Sequence, residues 1–286
     1  MQKLKRDLEL VVISDVHLGT YGSRAEELTN YLNAINPKIL VLNGDFIDIW
    51  QFNKHYFPTS NMQVIKTITS MLSNGTTIYY ITGNHDEMLR KFNGFSIGKF
   101  HIVNKLVLNL DAGKAWLFHG DVFDTAMKHS KWLAKLGGKG YDLLIALNNV
   151  VNWVSEKFGR GRVSLSKKVK DSVKGVLKYV NNFEETAAEI AIENGFDFVV
   201  CGHIHQPAIK DIHIKDKKVM YLNSGDWIEN LTALEYNDKE WNLKRYNEKE
   251  YLVNQWDLRN HKENFKEALN YEALFKEVIQ HATNAN

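Results

Sequence analysis

Leu10-Val11-Val12-Ile13-Ser14-Asp15-Val16-His17 sets an apolar run directly against an acid and an imidazole. Two later stretches repeat the arrangement. Ile39-Leu40-Val41-Leu42-Asn43 leads into Gly44-Asp45, and Thr77-Ile78-Tyr79-Tyr80-Ile81-Thr82 leads into Gly83-Asn84-His85-Asp86. A short apolar run without polar alternation reads as a strand buried on both faces. Helical patterns separate the three runs. Leu28, Leu32 and Ile35 share one helix face, with Ser23 as the cap, Glu26 as its partner three residues on, and Pro37 after the end. Val64, Ile65, Ile68, Met71 and Leu72 share another, stopped at Gly75. Strand–helix–strand–helix–strand predicts a parallel sheet with right-handed crossovers. Its strands then end on one edge, where open α/β sheets place ligands.

Beyond the third run the pattern loosens. Residues 100–110 alternate, as a half-buried antiparallel strand does, and Asp111-Ala112-Gly113 predicts a hairpin turn into a strand over 114–118. That strand ends in His119-Gly120-Asp121. Residues 124–193 carry no strand signal and no proline. Val169, Val173, Val176, Val180, Phe183, Ala187 and Ile190 alternate gaps of four and three, which predicts a long amphipathic helix. Two further helices are predicted over 125–136 and 141–158, broken at Gly137-Gly138. A strand over 196–201 returns to the sheet and ends in Gly202-His203-Ile204-His205. Two hairpins follow, over Lys215-Asp216-Lys217 and Asn237-Asp238, with Asn223-Ser224-Gly225-Asp226 as a strand-end turn between them. Residues 258–282 predict a polar amphipathic helix.

The totals exclude several classes. The 286 residues are 44% hydrophobic and 24% charged, the balance of a globular domain. The single cysteine, Cys201, excludes an internal disulfide and suits a reducing compartment. The charged stretch 1–9 does not read as a secretory signal, and no apolar run reaches the roughly 20 residues of a membrane span. The net charge of +2 is uninformative, but residues 124–182 hold 12 lysines and arginines against four acids.

Asp15, His17, Asp45, Asn84, His119, His203 and His205 all follow apolar strands, and most stand beside a glycine that lets the chain turn without a Cβ clash. Seven mixed oxygen and nitrogen donors are too many for one tetrahedral zinc. They suit two borderline divalent ions such as Mn²⁺, Fe or Zn²⁺. Paired ions about 3.5–4 Å apart need a bridging carboxylate, and Asp45 is the natural one.

The blocks Asp15-Val-His17, Gly44-Asp45-Phe-Ile-Asp48, Gly83-Asn84-His85-Asp86, His119-Gly-Asp121 and Gly202-His203-Ile-His205 stand in the order seen in the calcineurin-like metallophosphoesterases, and residues 8–236 resemble that family. The resemblance implies an α/β fold, an αββα sandwich of two mixed sheets flanked by helices, with a helical insertion as a cap. The expected division is 1–123 and 194–246 as the core, 124–193 as the cap and 247–286 as a C-terminal helical extension. It implies that Asp15, His17, Asp45 and His205 hold one metal and that Asp45, Asn84, His119 and His203 hold the other. A metal-bridging hydroxide would then attack phosphorus in line. His85 would stabilise the transition state or protonate the leaving oxygen, and Asp48 would orient His85. Read without the resemblance, Asp48 is also a candidate helix N-cap, the less favoured reading.

Within that superfamily the chain is most similar to the UDP-2,3-diacylglucosamine diphosphatases of lipid A synthesis. These are Mn²⁺ enzymes that split a UDP-lipid pyrophosphate into lipid phosphate and UMP, and they carry a helical insertion in the same place. Here Trp132, Leu136, Trp153 and Phe158 would line an acyl groove, or form the core between the cap helices. Arg160, Arg162, Lys167 and Lys168 are the candidates for substrate contact. One block departs from the pattern: those enzymes read Gly-Asn-Arg-Asp where this chain has His85, so the fold and metals carry over while the exact substrate does not, and the lipid pyrophosphate is the leading substrate expectation. Three functions stay open: a lipid-linked pyrophosphatase, a nucleotide or nucleic-acid phosphodiesterase whose basic cap binds the phosphate backbone, and a non-catalytic scaffold. A phosphorylated small molecule or lipid-linked nucleotide is the expected partner, with nucleic acid less favoured and no obligate protein partner implied. The expected location is cytoplasmic, with peripheral contact to an anionic membrane through the basic cap.

Overall fold

The computed structural model describes residues 5–49, 57–123 and 166–251. Leu10, Val11, Val12 and Ile13 lie in strand β1 (Arg6–Ile13), and alternation along it divides the core. Val11 and Ile13 join one apolar cluster, while Leu10 and Val12 join another. Strands β2 (Ile35–Asn43) and β3 (Thr77–Ile81) divide in the same way, with Leu40, Leu42, Ile78 and Tyr80 on one side and Val41 and Ile81 on the other. The three strands are parallel and buried on both faces, as their unbroken apolar runs predict. Burying each such aliphatic side chain contributes about 1.5–3 kcal/mol.

Helices α1 (Ala25–Asn33) and α2 (Thr59–Ser73) cover the first face. Leu28, Tyr31 and Leu32 from α1 and Met62, Val64, Ile68 and Met71 from α2 pack into its cluster. Strands β4 (Ser96–Ile97) and β5 (Phe100–Val103) extend the sheet beyond β3. Strands β6 (Lys105–Leu110), β7 (Gly113–Phe118), β8 (Phe198–Cys201), β9 (Ala208–Ile214) and β10 (Lys217–Asn223) build a second sheet. Strands β11 (Thr232–Asn237) and β12 (Glu240–Arg245) return to the first. The orders are β12-β11-β1-β2-β3-β5-β4 and β6-β7-β8-β10-β9, and both sheets mix parallel and antiparallel pairs. Ala115, Leu117, Phe198, Val200 and Leu222 of the second sheet meet Leu10, Val12, Val41 and Leu234 of the first in a shared core. The fold is α/β, with two mixed sheets packed face to face and helices against them.

The chain divides into two compact units, 1–120 with 190–286, and 121–189. Helix α3 (Ser166–Glu193) contains the long amphipathic repeat. Within the second unit Phe123 and Phe183 meet edge to face, 5.3 Å apart. The helices predicted at 125–136, 141–158 and 258–282 lie outside the described residues, as do Trp132, Leu136, Trp153 and Phe158. No helix among the described residues is long and apolar enough to cross a membrane.

Three local expectations fail. The run 100–110 is two strands rather than one: β5 lies parallel to β3 in the first sheet, and β6 pairs antiparallel with β7 in the second. Asn104 is the crossing point, where its backbone N–H donates to Asn93 and its side chain accepts from Thr82. Ile35 and Pro37 begin β2 rather than ending α1, and Pro37 pairs with Leu8. Ser23 does not cap α1. Arg24 holds the N-cap position, no side chain caps the helix, and the buried Ser23 hydroxyl has no hydrogen-bond partner among the described residues.

Candidate metal centre

Strands β1, β2 and β3 of the first sheet and β7, β8 and β10 of the second all point their C-terminal ends to one edge. Past its last residue β1 stays zipped to the end of β2: the amides of Asp15, His17 and Leu18 donate to the carbonyls of Gly44, Asp45 and Phe46 at 3.1, 2.9 and 2.9 Å. This forced path puts Asp15, His17 and Asp45 in left-handed backbone, with φ of 52, 50 and 50°. After β8, His203 and His205 adopt the same conformation at 67 and 53°. Non-glycine residues held there cost of order 1–3 kcal/mol each and concentrate at functional sites.

Three clusters result among the described residues, each with one donor atom per residue within 4.8 Å of the others: Asp15, His17 and His205; Asp45, His119 and His203; and His17, Asp48 and His85. Asp15 accepts the backbone N–H of His203 on Oδ2 at 3.0 Å and has His205 Nε2 3.2 Å from Oδ1. Asp45 accepts the backbone N–H of His85 on Oδ1 at 2.8 Å and has His119 Nε2 3.2 Å from Oδ2. His119 Nδ1 lies 2.9 Å from the carbonyl of Asn43, a contact that keeps the proton on Nδ1 and turns Nε2 toward Asp45.

Charge reinforces the geometry. Burial pushes both carboxyls up, but His205 beside Asp15 and His119 beside Asp45 outweigh it, and both acids stay well below the usual carboxylate range. Burial likewise works against a charged His205, yet Asp15 and Asp226 hold its pKa up at about 9. The Oδ1 of Asn84 and the Nε2 of His17 are both shielded from water without a hydrogen-bond partner among the described residues. Orphaned buried donor atoms are costly unless something else binds them. Divalent cations fit: two carboxylates, four imidazoles and an amide oxygen supply the donor types that such ions take.

The glycines are spatial necessities. A Cβ on Gly44 would strike the His119 ring, and one on Gly83 would strike both the Asp45 carboxylate and His119.

His85 stands at the rim with its Nδ1 2.9 Å from Asp48 Oδ2 and its side chain 26% exposed. Burial lowers its pKa, but Asp48, Asp45 and Asp15 together raise it above the ordinary imidazole value. Asp48 is fully buried and also lies 3.6 Å from His17 Nδ1, and no helix among the described residues starts at it. Of the candidate substrate contacts, Arg160 and Arg162 lie outside the described residues. Lys167 and Lys168 fall in the first turn of α3, where only the backbone is described.

At this edge, two buried acids among the described residues had no role assigned from sequence. Asp86 accepts from the amides of Phe46 and Gly83 at 3.0 and 2.6 Å and from the Tyr80 hydroxyl at 2.5 Å, locking the β2 and β3 loops together. Burial first, then Asp45, raises its pKa to about 6. Asp226, after β10, lies 3.8 Å from His205 Nδ1. Its signal was present: it follows an apolar strand and a glycine, as Asp45 does.

Parallel strand ends that gather acids and imidazoles around shared donor clusters make a candidate divalent-metal site. The sequence model of the Calcineurin-like phosphoesterase family matches residues 8–207, and the chain belongs to that family. It is a metallophosphoesterase by family, with His/Asp clusters consistent with the paired metal site typical of that family. Among curated relatives, the UDP-2,3-diacylglucosamine hydrolase of Aliivibrio fischeri (strain MJ11) is 23% identical over 243 residues, covering 83% of this chain and 98% of that protein. The protein of the same name from Blochmanniella pennsylvanica (strain BPEN) is 25% identical over 237 residues, covering 81% and 93%. A solved archaeal phosphodiesterase superposes with a TM-score of 0.41 at 17% identity, over 82% of this chain and 98% of that one.

Proposed function

We propose that this protein hydrolyses a phosphoanhydride or phosphodiester with two divalent metals. Asp15, His17, Asp45 and His205 would hold one, and Asp45, Asn84, His119 and His203 the other, with Asp45 shared. The observation that carries this reading is the backbone: five of the seven proposed ligands sit in strained left-handed conformation at a single edge. Polar groups that merely satisfied one another in a core would not need that strain.

Bound there, the ions would lower the pKa of a water and neutralise phosphoryl charge, and Mn²⁺ is the favoured identity. The chain's own residues supply the rest. Asp48 engages Nδ1 of His85 and favours its protonated form, so Nε2 would give its proton to the leaving oxygen as the P–O bond breaks. The acids and imidazoles fix the reacting groups with little motion of their own, because Asp86 and the zipped loops hold their backbones.

The leading substrate is a UDP-2,3-diacylglucosamine-type lipid pyrophosphate, giving lipid phosphate and UMP. Support comes from the relatives, which match along 81–83% of the chain, and from the basic segment 124–182 in the position of a lipid-covering cap. In this reading 1–123 and 194–246 form the catalytic core, 124–193 the cap and 247–286 an extension. The cap rests on an anionic membrane face on the cytoplasmic side, where Arg160, Arg162, Lys167 and Lys168 would meet phosphate. A second reading, a nucleotide or nucleic-acid phosphodiesterase, is favoured by His85, which stands where the lipid A enzymes carry arginine. A Mn²⁺ hydrolysis screen over UDP-lipids, nucleotide diesters and single-stranded DNA decides between them. Release of UMP from the lipid substrate is expected; cleavage of DNA or diesters alone would replace the substrate, and no cleavage of any would end the enzymatic reading.

A further inference from the structure

We propose that Asp226 is a positioning residue for His205: it keeps the imidazole proton on Nδ1, so that Nε2 is the nitrogen offered to metal beside Asp15 and His17. The proposal rests on the reading of Asp15, His17 and His205 as a metal site.

Asp226 is fully buried, and its two oxygens have different work. Oδ1 accepts the backbone N–H groups of Ile228, Glu229 and Asn230 at 2.8, 2.6 and 3.2 Å, which closes the turn after β10. A serine or asparagine could close that turn with a single oxygen and no buried charge. Oδ2 takes no part in it. That oxygen accepts from the Asn230 amide at 2.5 Å and lies 3.8 Å from His205 Nδ1, an ion-pair distance. The same Asn230 nitrogen donates to the backbone carbonyl of His205 at 3.0 Å. On the opposite edge of the ring, Nε2 lies 3.2 Å from Asp15 Oδ1. The turn also grips Asp15, whose carbonyl accepts the Trp227 amide at 3.0 Å.

One short turn therefore supports both strained ligands, Asp15 and His205, and places a carboxylate behind the imidazole. A carboxylate accepts and does not donate, so the nitrogen facing it carries the proton. Nε2 is given to the cation, and Asp226 fixes which tautomer does so. A carboxylate behind a ligating imidazole sets ring orientation and basicity, and its loss costs 10–100-fold in metal affinity in general. The change Asp226→Asn would keep an oxygen for the turn but present an NH₂ group to Nδ1, favouring the wrong tautomer.

The test compares the wild-type chain with Asp226→Asn and Asn230→Ala. Mn²⁺ affinities come from calorimetric titration, and the His205 tautomer from imidazole ¹⁵N shifts of the Zn²⁺-loaded protein. The wild type should bind two ions with His205 protonated on Nδ1. Asp226→Asn should weaken one of the two ions by about 10–100-fold and leave the other unchanged; Asn230→Ala should weaken the same ion by less. Two ions bound with unchanged affinities in Asp226→Asn would overturn the role of Asp226 while the site itself survives. A loaded wild type with His205 protonated on Nε2 would overturn it without any variant, which keeps the test open if Asp226→Asn fails to fold. A wild type that binds fewer than two ions removes the site reading, and this proposal with it.

Discussion

Two groups of side-chain-bearing residues, all the described ones with positive φ except Leu231, adopt it for different reasons. Lys215, Asp238 and Lys239 sit at exposed hairpin tips between β9 and β10 and between β11 and β12. At the second tip both central residues are left-handed, as the twist of a two-residue hairpin demands. Asp15, His17, Asp45, His203 and His205 hold the same conformation buried or half-buried at strand ends that feed the acid–imidazole clusters. A hairpin tip needs only the backbone, so glycine would serve there as well or better. A strand end of the second kind needs the backbone and the side chain together, and glycine would empty the site. Strain that could be removed cheaply and strain that cannot are thereby separated within one chain.

Substitutions sharpen the contrast. Asp45→Asn should have the largest effect, removing activity to background and weakening both ions, measured by turnover and metal content; an active variant with two ions would deny Asp45 the shared position. His85→Ala should keep both ions and lower turnover by roughly 10²–10⁴-fold, the usual loss of a general acid. Unchanged turnover would take His85 out of the chemistry. Gly83→Ala adds one carbon against Asp45 and His119, and a displacement of about 1 Å there costs on the order of 10²-fold in rate. A fully active Gly83→Ala protein would show that those side chains have room to yield.

Proton linkage gives a smaller effect with a fixed sign. His205 in the metal-free chain has a pKa of about 9, so at neutral pH a cation must displace its proton. Metal affinity at the Asp15–His17–His205 cluster should therefore rise with pH, by up to about tenfold per unit for one released proton until about pH 9. Titrations of metal at several pH values check this, and a flat profile would contradict it. In the metal-free fold the sign reverses. The raised pKa stabilises the chain fully below about 6.5, and that contribution is lost as pH climbs through about 9. The smallest effect belongs to the hairpin: Lys239→Gly should raise stability by up to about 1 kcal/mol, since relief of left-handed strain outweighs the added unfolded-state entropy. A lower melting temperature would show that Lys239 contributes more than its backbone.

The same division explains what was legible in the chain. Unbroken apolar runs such as Leu10–Ile13 advertise strands buried on both faces, and the acids and imidazoles that follow them advertise the edge on which the site lies. Both signals are local, and both are strong because a two-sided strand has no solvent face to blur it. The break at Asn104 was hidden because β5 and β6 share a continuous alternation; their separation into different sheets depends on Asn93 and Thr82, which are distant in sequence. Ile35 follows the helix so closely that spacing alone assigns it there, with Pro37 as the stop, and only pairing with β1 assigns both to β2. Asp226 follows an apolar strand and a glycine, as Asp45 does, but neither it nor Asp86 reads as a metal ligand. Their work is to hold other residues, and that shows only when the partners are seen together.

Two cations gathered at one sheet edge are the central claim. Elemental analysis of the purified chain, reloaded with Mn²⁺ and freed of excess, counts them directly. Two ions per chain are expected in the wild type. A wild-type count of one or none, at saturating Mn²⁺ and neutral pH, would contradict that claim.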